Sequence, residues 1–157
     1  MTPFLAGASR WLFMLHAVLG FTSVGAATHL ATYSIGLWRG VEPWRWRTRL
    51  FGLLVPLIVL AQYSLGLLIY PAYRVTVRLA WLDKKAPLAA ALFDVKEHAA
   101  ALALPLLAGA ALLARLPAAK STRAVGAWLA IAGALLVWSV ALLGLYVASY
   151  RPLGGIP

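Results

Sequence analysis

The chain has 157 residues, of which 63% are apolar and only 11% charged, and its mean hydropathy is +0.86. That composition excludes an ordinary water-soluble globular domain and points to an integral membrane protein, a single transmembrane domain of one compact bundle. The formal net charge of +10 comes from cations set between apolar runs, where they serve as lipid-headgroup anchors and not as a nucleic-acid footprint; with no cysteine, a disulfide, Cys-ligated zinc, an iron–sulfur cluster and covalent c-type haem are excluded within the chain.

In chain order, residues 1–9 form a short lead. A first helix is expected over about 10–38, flanked by Trp11 and Trp38 as interfacial aromatics. Its apolar run is too long for a signal peptide and lacks a clear cleavage site. It carries His16 and His29 among the small residues Gly20, Ser23, Gly25, Ala26 and Ala27. Residues 39–49 form a connector with four arginines and Pro43. A second helix, about 50–70, is aliphatic except for Gln62, Tyr63 and Ser64. Tyr70-Pro71-Ala72-Tyr73-Arg74 is expected to end it, with a basic loop to about Pro87 in which 75–82 is a short interfacial segment.

The third helix is expected over about 90–115 and the fourth over about 124–150, separated by a short basic connector. The tail, 151–157, is expected as coil. Short connectors imply antiparallel neighbours. The expected fold is all-α, an up-down-up-down four-helix bundle with both termini on one membrane face. Basic residues balance between the two sides, but one arginine before the first helix against four after it favours termini outside.

The chemistry gathers at Asp94, Glu97 and His98, at the mouth of an uncharged run to Ala114. At helical spacing these three share roughly one face, with Lys96 turned away. His16 and His98 lie on co-directional helices, each about 10–12 Å from its helix midpoint towards the terminal side. Two histidines at equal depth on different helices are what a six-coordinate haem b requires. Gly20 follows His16 by four residues and leaves a bare strip for a porphyrin edge. Asp94 or Glu97 is expected to accept the second ring N–H of His98. Arg74, Arg78, Tyr70 and Tyr73 emerge on the same side as candidate holders of the haem propionates.

On His16, His98 and Gly20, the chain resembles the membrane b-type cytochromes built on four-helix bundles with bis-histidine haem. The resemblance is architectural and covers the bundle, without a family motif matched end to end. It implies a non-catalytic electron-transfer subunit linking a quinol pool or membrane oxidoreductase to a redox partner at the terminal-side surface. The expected setting is the bacterial inner membrane, among lipids and other membrane or periplasmic redox subunits or copies of itself. His29 is left for a bond to Tyr33 or Gln62, a quinone, or a second haem shared with a partner chain.

Plainer readings stand beside these. A membrane histidine can serve only to bond across helices, and the glycines only to pack them. Asp94 and Glu97 sit well at a positive helix start. The competing functions are a cofactor-free structural or anchor subunit, and a proton- or solute-handling protein using Asp94, Glu97 and His98 as a relay.

Overall fold

The computed structural model describes residues 9–117 and 119–150; the lead and the tail expected as coil lie outside them, apart from Ser9, which opens the first helix. The described residues are all-helical, with four long helices: α1 (Ser9–Trp38), α2 (Arg45–Tyr73), α3 (Pro87–Arg115) and α4 (Lys120–Ser149). Each is long and apolar enough to cross a membrane.

The helix ends follow from local chemistry. Gly40 takes φ +94°, and beside it the N–H of Val41 reaches Gly36 O at 2.9 Å while that of Gly40 reaches Leu37 O at 3.1 Å. This left-handed closure satisfies carbonyls at the end of α1. Pro43 opens a 3₁₀ turn, Glu42–Trp44, that leads into α2. Ala86, at φ −144°, breaks the chain before Pro87 begins α3, a favourable first position for a residue without an N–H. Leu116 is extended, as the residue before Pro117 is obliged to be, and α3 ends there.

The second helical run differs from the sequence expectation. Helix α2 starts five residues earlier than 50, and Pro71 lies within it. The segment expected as a loop is a π-helix, Arg74–Leu82, followed by one α turn, Asp83–Lys85. Pro71 removes one backbone donor, but the segment beyond it still has apolar surface to bury. Leu82 is 1% exposed and packs with Ala86, Ala89, Phe93 and Val147.

Helix α1 packs against α2 and α4, α2 against α3, and α3 against α4, so α1 and α3 occupy diagonal corners. All four feed one core: Ala27 and Leu30 from α1, Val55 and Val59 from α2, Ala103 and Leu107 from α3, Ala130 and Val137 from α4. Small side chains dominate, so backbones approach closely. Leu107 illustrates the fit, because a Cβ at Gly133 would stand 2.7 Å from its Cδ2. At one end, Glu42 accepts hydrogen bonds from both Arg45 and Arg123, tying the α1–α2 connector to the start of α4.

Leu107 is fully buried whereas Leu112 is 63% exposed. Leu107→Ala is expected to cost about 2–5 kcal/mol, the range for a buried leucine that leaves a cavity. Leu112→Ala should cost about 0.5 kcal/mol or less. Unfolding titrations in mixed detergent micelles measure both.

Candidate functional site

At the end of the bundle away from the Glu42 clamp, the four helices line a half-open cavity of about 260 Å³. Its walls are mostly apolar; His16 from α1, Gln62 from α2, and Lys96 and Glu97 from α3 bring polar groups to it, beside the side chains of Tyr70, Tyr73 and Trp81. A smaller cleft of about 40 Å³ continues around the same four residues towards Ala103.

His16 is held by a neighbouring backbone. Its Nδ1 lies 3.1 Å from the carbonyl oxygen of Gln62. A carbonyl only accepts, so Nδ1 carries the hydrogen and, in the neutral ring, Nε2 is the acceptor. Ser23, fully buried, donates to Gln62 Oε1 at 2.9 Å and shares that hydroxyl with Leu19 O at 2.7 Å. Close approach is possible because two positions lack a side chain. A Cβ at Gly66 would stand 3.3 Å from His16 Cε1, and one at Gly20 would stand 3.0 Å from Gln62 Nε2. Each large polar side chain thus lies in the notch that the facing helix leaves for it.

On α3 the face is set by Phe93. Lys96 and Glu97 follow it by three and four residues and therefore share its side of the helix. Lys96 Nζ donates to Glu97 Oε1 at 3.1 Å, with side-chain exposures of only 15% and 31%. The ammonium also lies 5.0 Å from the Phe93 ring centroid, a cation–π distance. Its methylenes rest against Gly144 of α4, where a Cβ would be 3.5 Å from Lys96 Cε. Phe93 is itself stacked with Tyr70 and Tyr73, at centroid distances of 6.0 and 4.9 Å. Among the described residues no buried side-chain nitrogen or oxygen lacks a hydrogen-bond partner.

The residues singled out from sequence divide accordingly. His16, Gly20, Tyr73 and Glu97 line the cavity. His98 does not. It is exposed, five residues past Phe93 and so on another side of α3, and its Nδ1 donates to the Asp94 backbone oxygen at 2.7 Å. Neither the Asp94 nor the Glu97 carboxylate takes its ring N–H. His16 and His98 are therefore not brought together. The expectation of a shared face for Asp94, Glu97 and His98 took Asp94 as its centre, whereas burial of Phe93 turns Lys96 and Glu97 inward and His98 outward.

Arg78 also departs from expectation. Its guanidinium grips Asp94 through two bonds, Nη1 to Oδ1 at 2.6 Å and Nη2 to Oδ2 at 2.8 Å, with Asp83 at 3.5 Å. This fork docks the π-helical segment onto α3 and is occupied by protein carboxylates. Arg74 is exposed and makes no ion pair among the described residues. His29 is exposed in the other half of α1; its Nδ1 donates to Gly25 O at 2.8 Å, and its ring stacks on Phe51 at 5.4 Å and lies beside Tyr33 at 5.9 Å. Among the described residues no three of His, Asp and Glu gather as a metal-binding group would.

Sequence reasoning missed Lys96, Gln62, Gly66 and Gly144 as parts of one site. Gln62 was visible as a lone amide in an aliphatic helix. Lys96 was not, because α3 is apolar on nearly every side and gives no periodic clue to its inner face.

Arg78 and Asp94 are 20% and 49% exposed, so their ion pair ranks with partly screened surface pairs. Asp94→Asn should release the π-helical segment by about 1 kcal/mol or less, a protection loss of at most about fivefold. Hydrogen–deuterium exchange of amides 74–86, with α4 amides as the unchanged reference, measures it.

No protein-family model matches this chain, and no curated protein or solved structure does either.

Proposed function

We propose that the protein is an integral membrane subunit of an electron-transfer assembly, that its helices run up-down-up-down, and that its working site is the cavity at His16. The observation that carries this reading is the meeting of His16, Lys96, Glu97 and Gln62 on one cavity whose walls are otherwise mostly apolar. Ionisable groups at such a depth are costly, and in membrane helices they mark ligand, ion or proton sites. Lys96 lies about 7.5 Å from the midpoint of α3 at 1.5 Å per residue. A mostly apolar cavity with a few convergent polar groups suits a small lipophilic ligand. The aromatic wall of Tyr70, Tyr73 and Phe93 suits a flat one, as electron carriers are.

A bis-histidine haem does not fit these residues as they stand. His16 meets the demand on an axial ligand, with one ring nitrogen fixed by a carbonyl and the other free. The cavity offers no second imidazole, Arg78 is engaged by Asp94, and about 260 Å³ lies below the usual range for drug-sized ligands, let alone a porphyrin. The ligand in this reading is a smaller carrier.

The cations support one sidedness. Seven lie in the connectors 39–49 and 115–123, and the same number outside them, but Lys96 is one of the latter and lies inside the bundle rather than in a loop. Six then oppose seven, which favours connectors on the cytoplasmic side and a cavity near the outer face. The inner membrane of a bacterium is the proposed setting.

Reporter fusions after residues 45, 85, 120 and 150 should alternate sides, with 45 and 120 cytoplasmic; two successive fusions on one side would overturn the topology. Purified protein should carry a lipophilic small molecule, found by mass spectrometry of its organic extract, that His16→Ala loses and His98→Ala keeps. A low-spin haem spectrum abolished by both His16→Ala and His98→Ala would instead restore the bis-histidine pair. An extract without any specific molecule would favour a structural subunit.

A further inference from the structure

We infer that the ligand of this cavity is a quinone head, held preferentially in its reduced quinol form, with His16 as the group that selects the redox state. The inference rests on the cavity being the working site proposed above.

The ionisable groups, beside the Gln62 amide and the side chains of Tyr70, Tyr73 and Trp81, define what the ligand must present. With Nδ1 committed to Gln62 O, His16 turns an acceptor, Nε2, to its remaining surroundings, and no protein donor among the described residues takes it. Lys96 has three N–H donors, of which one is used on Glu97 Oε1, and the second carboxylate oxygen of Glu97 remains an acceptor. His16 belongs to α1 and the Lys96–Glu97 pair to α3, which occupy diagonal corners. The two polar groups therefore meet the cavity from opposite sides. A ligand that answers both carries two oxygens on opposite edges of a flat apolar ring.

Quinones and quinols have that shape, and the donor count separates the two forms. A quinone oxygen only accepts, so it pairs with Lys96 but leaves His16 Nε2 facing a like acceptor. A quinol hydroxyl both donates and accepts, so one O–H pairs with Nε2 while the other oxygen accepts from Lys96 and donates to Glu97. Leaving a desolvated acceptor unpaired is worth about tenfold in affinity. A cavity of about 260 Å³ suits a single-ring head. An isoprenoid tail has a way out between α1 and α4, where the lining residues Phe13, Phe21 and Leu145 are 41%, 69% and 56% exposed.

The test uses the full chain in nanodiscs of quinone-free phosphatidylcholine, with decyl-ubiquinol and decyl-ubiquinone as probes. Binding is the amount carried by protein-bearing discs in excess of empty ones. Saturable uptake of one molecule per chain is expected, about tenfold tighter for the quinol. His16→Ala should abolish the preference for the reduced form, and Glu97→Gln should weaken quinol binding at least fivefold, a second arm if His16→Ala does not fold. His98→Ala should change neither. Gly144→Leu, which projects into the cavity beside Lys96, should abolish uptake of both. Equal uptake by empty discs, or an unchanged quinol preference in His16→Ala, overturns the inference. A parallel titration with 1-aminoanthracene separates the two levels. If Gly144→Leu removes its binding while neither quinone form binds, the cavity reading stands and the quinone falls. If none of the three probes binds, both fall.

Discussion

The contact on which the site depends is the hydrogen bond from His16 Nδ1 to the backbone carbonyl of Gln62. A half-buried imidazole without a partner would lose hydrogen bonds to water that nothing replaces. Here one nitrogen is satisfied by a carbonyl that cannot move, because it belongs to a packed helix. That single bond sets the ring's tautomer, its rotation and the direction of its remaining lone pair. It also needs the two helices close together, which the absent side chains of Gly20 and Gly66 allow. The seam between α1 and α2 is therefore both a packing device and a chemical one.

The acids of α3 solve two separate problems. Asp94 sits at the side of the helix, where the Arg78 fork anchors the π-helical segment that closes one end of the cavity. Glu97, three residues on, turns inward and partners Lys96. Pairing makes an ammonium and a carboxylate tolerable in an apolar interior, where each alone would be expelled or neutralised. The Phe93 ring beneath the ammonium adds a further favourable contact. The segment Arg74–Leu82 is π-helical, a rare winding that is frequent at functional sites, and its Val77, Trp81 and Leu82 face the cavity.

Much of the fold could be read from the sequence. Four apolar runs of spanning length, set between basic stretches, define four long helices, and Trp38, Pro87 and Arg115 stand at or within a few residues of the boundaries expected for them. Pro71 misled, because a proline stops a helix only when nothing beyond it gains by continuing. Of the site, His16, Gly20, Tyr73 and Glu97 were legible as unusual residues at the right depth. His98 was legible as unusual but not as outward-facing. A helix apolar all round carries no periodic signal to say which side is inside.

The sequence by itself determined composition-level matters: four helices able to cross a membrane, their approximate ends, and ionisable residues in and beside their apolar spans. These depend on local hydropathy, proline and glycine, which act within a few residues of chain. Only the tertiary structure decided which of those ionisable residues meet. Rotation of α3 about its axis is set by burial of Phe93 against Tyr70 and Tyr73, some twenty residues away in the chain. That rotation brings Lys96 and Glu97 to the cavity and leaves His98 outside. A turn of about 100° per residue makes the difference between neighbours in sequence.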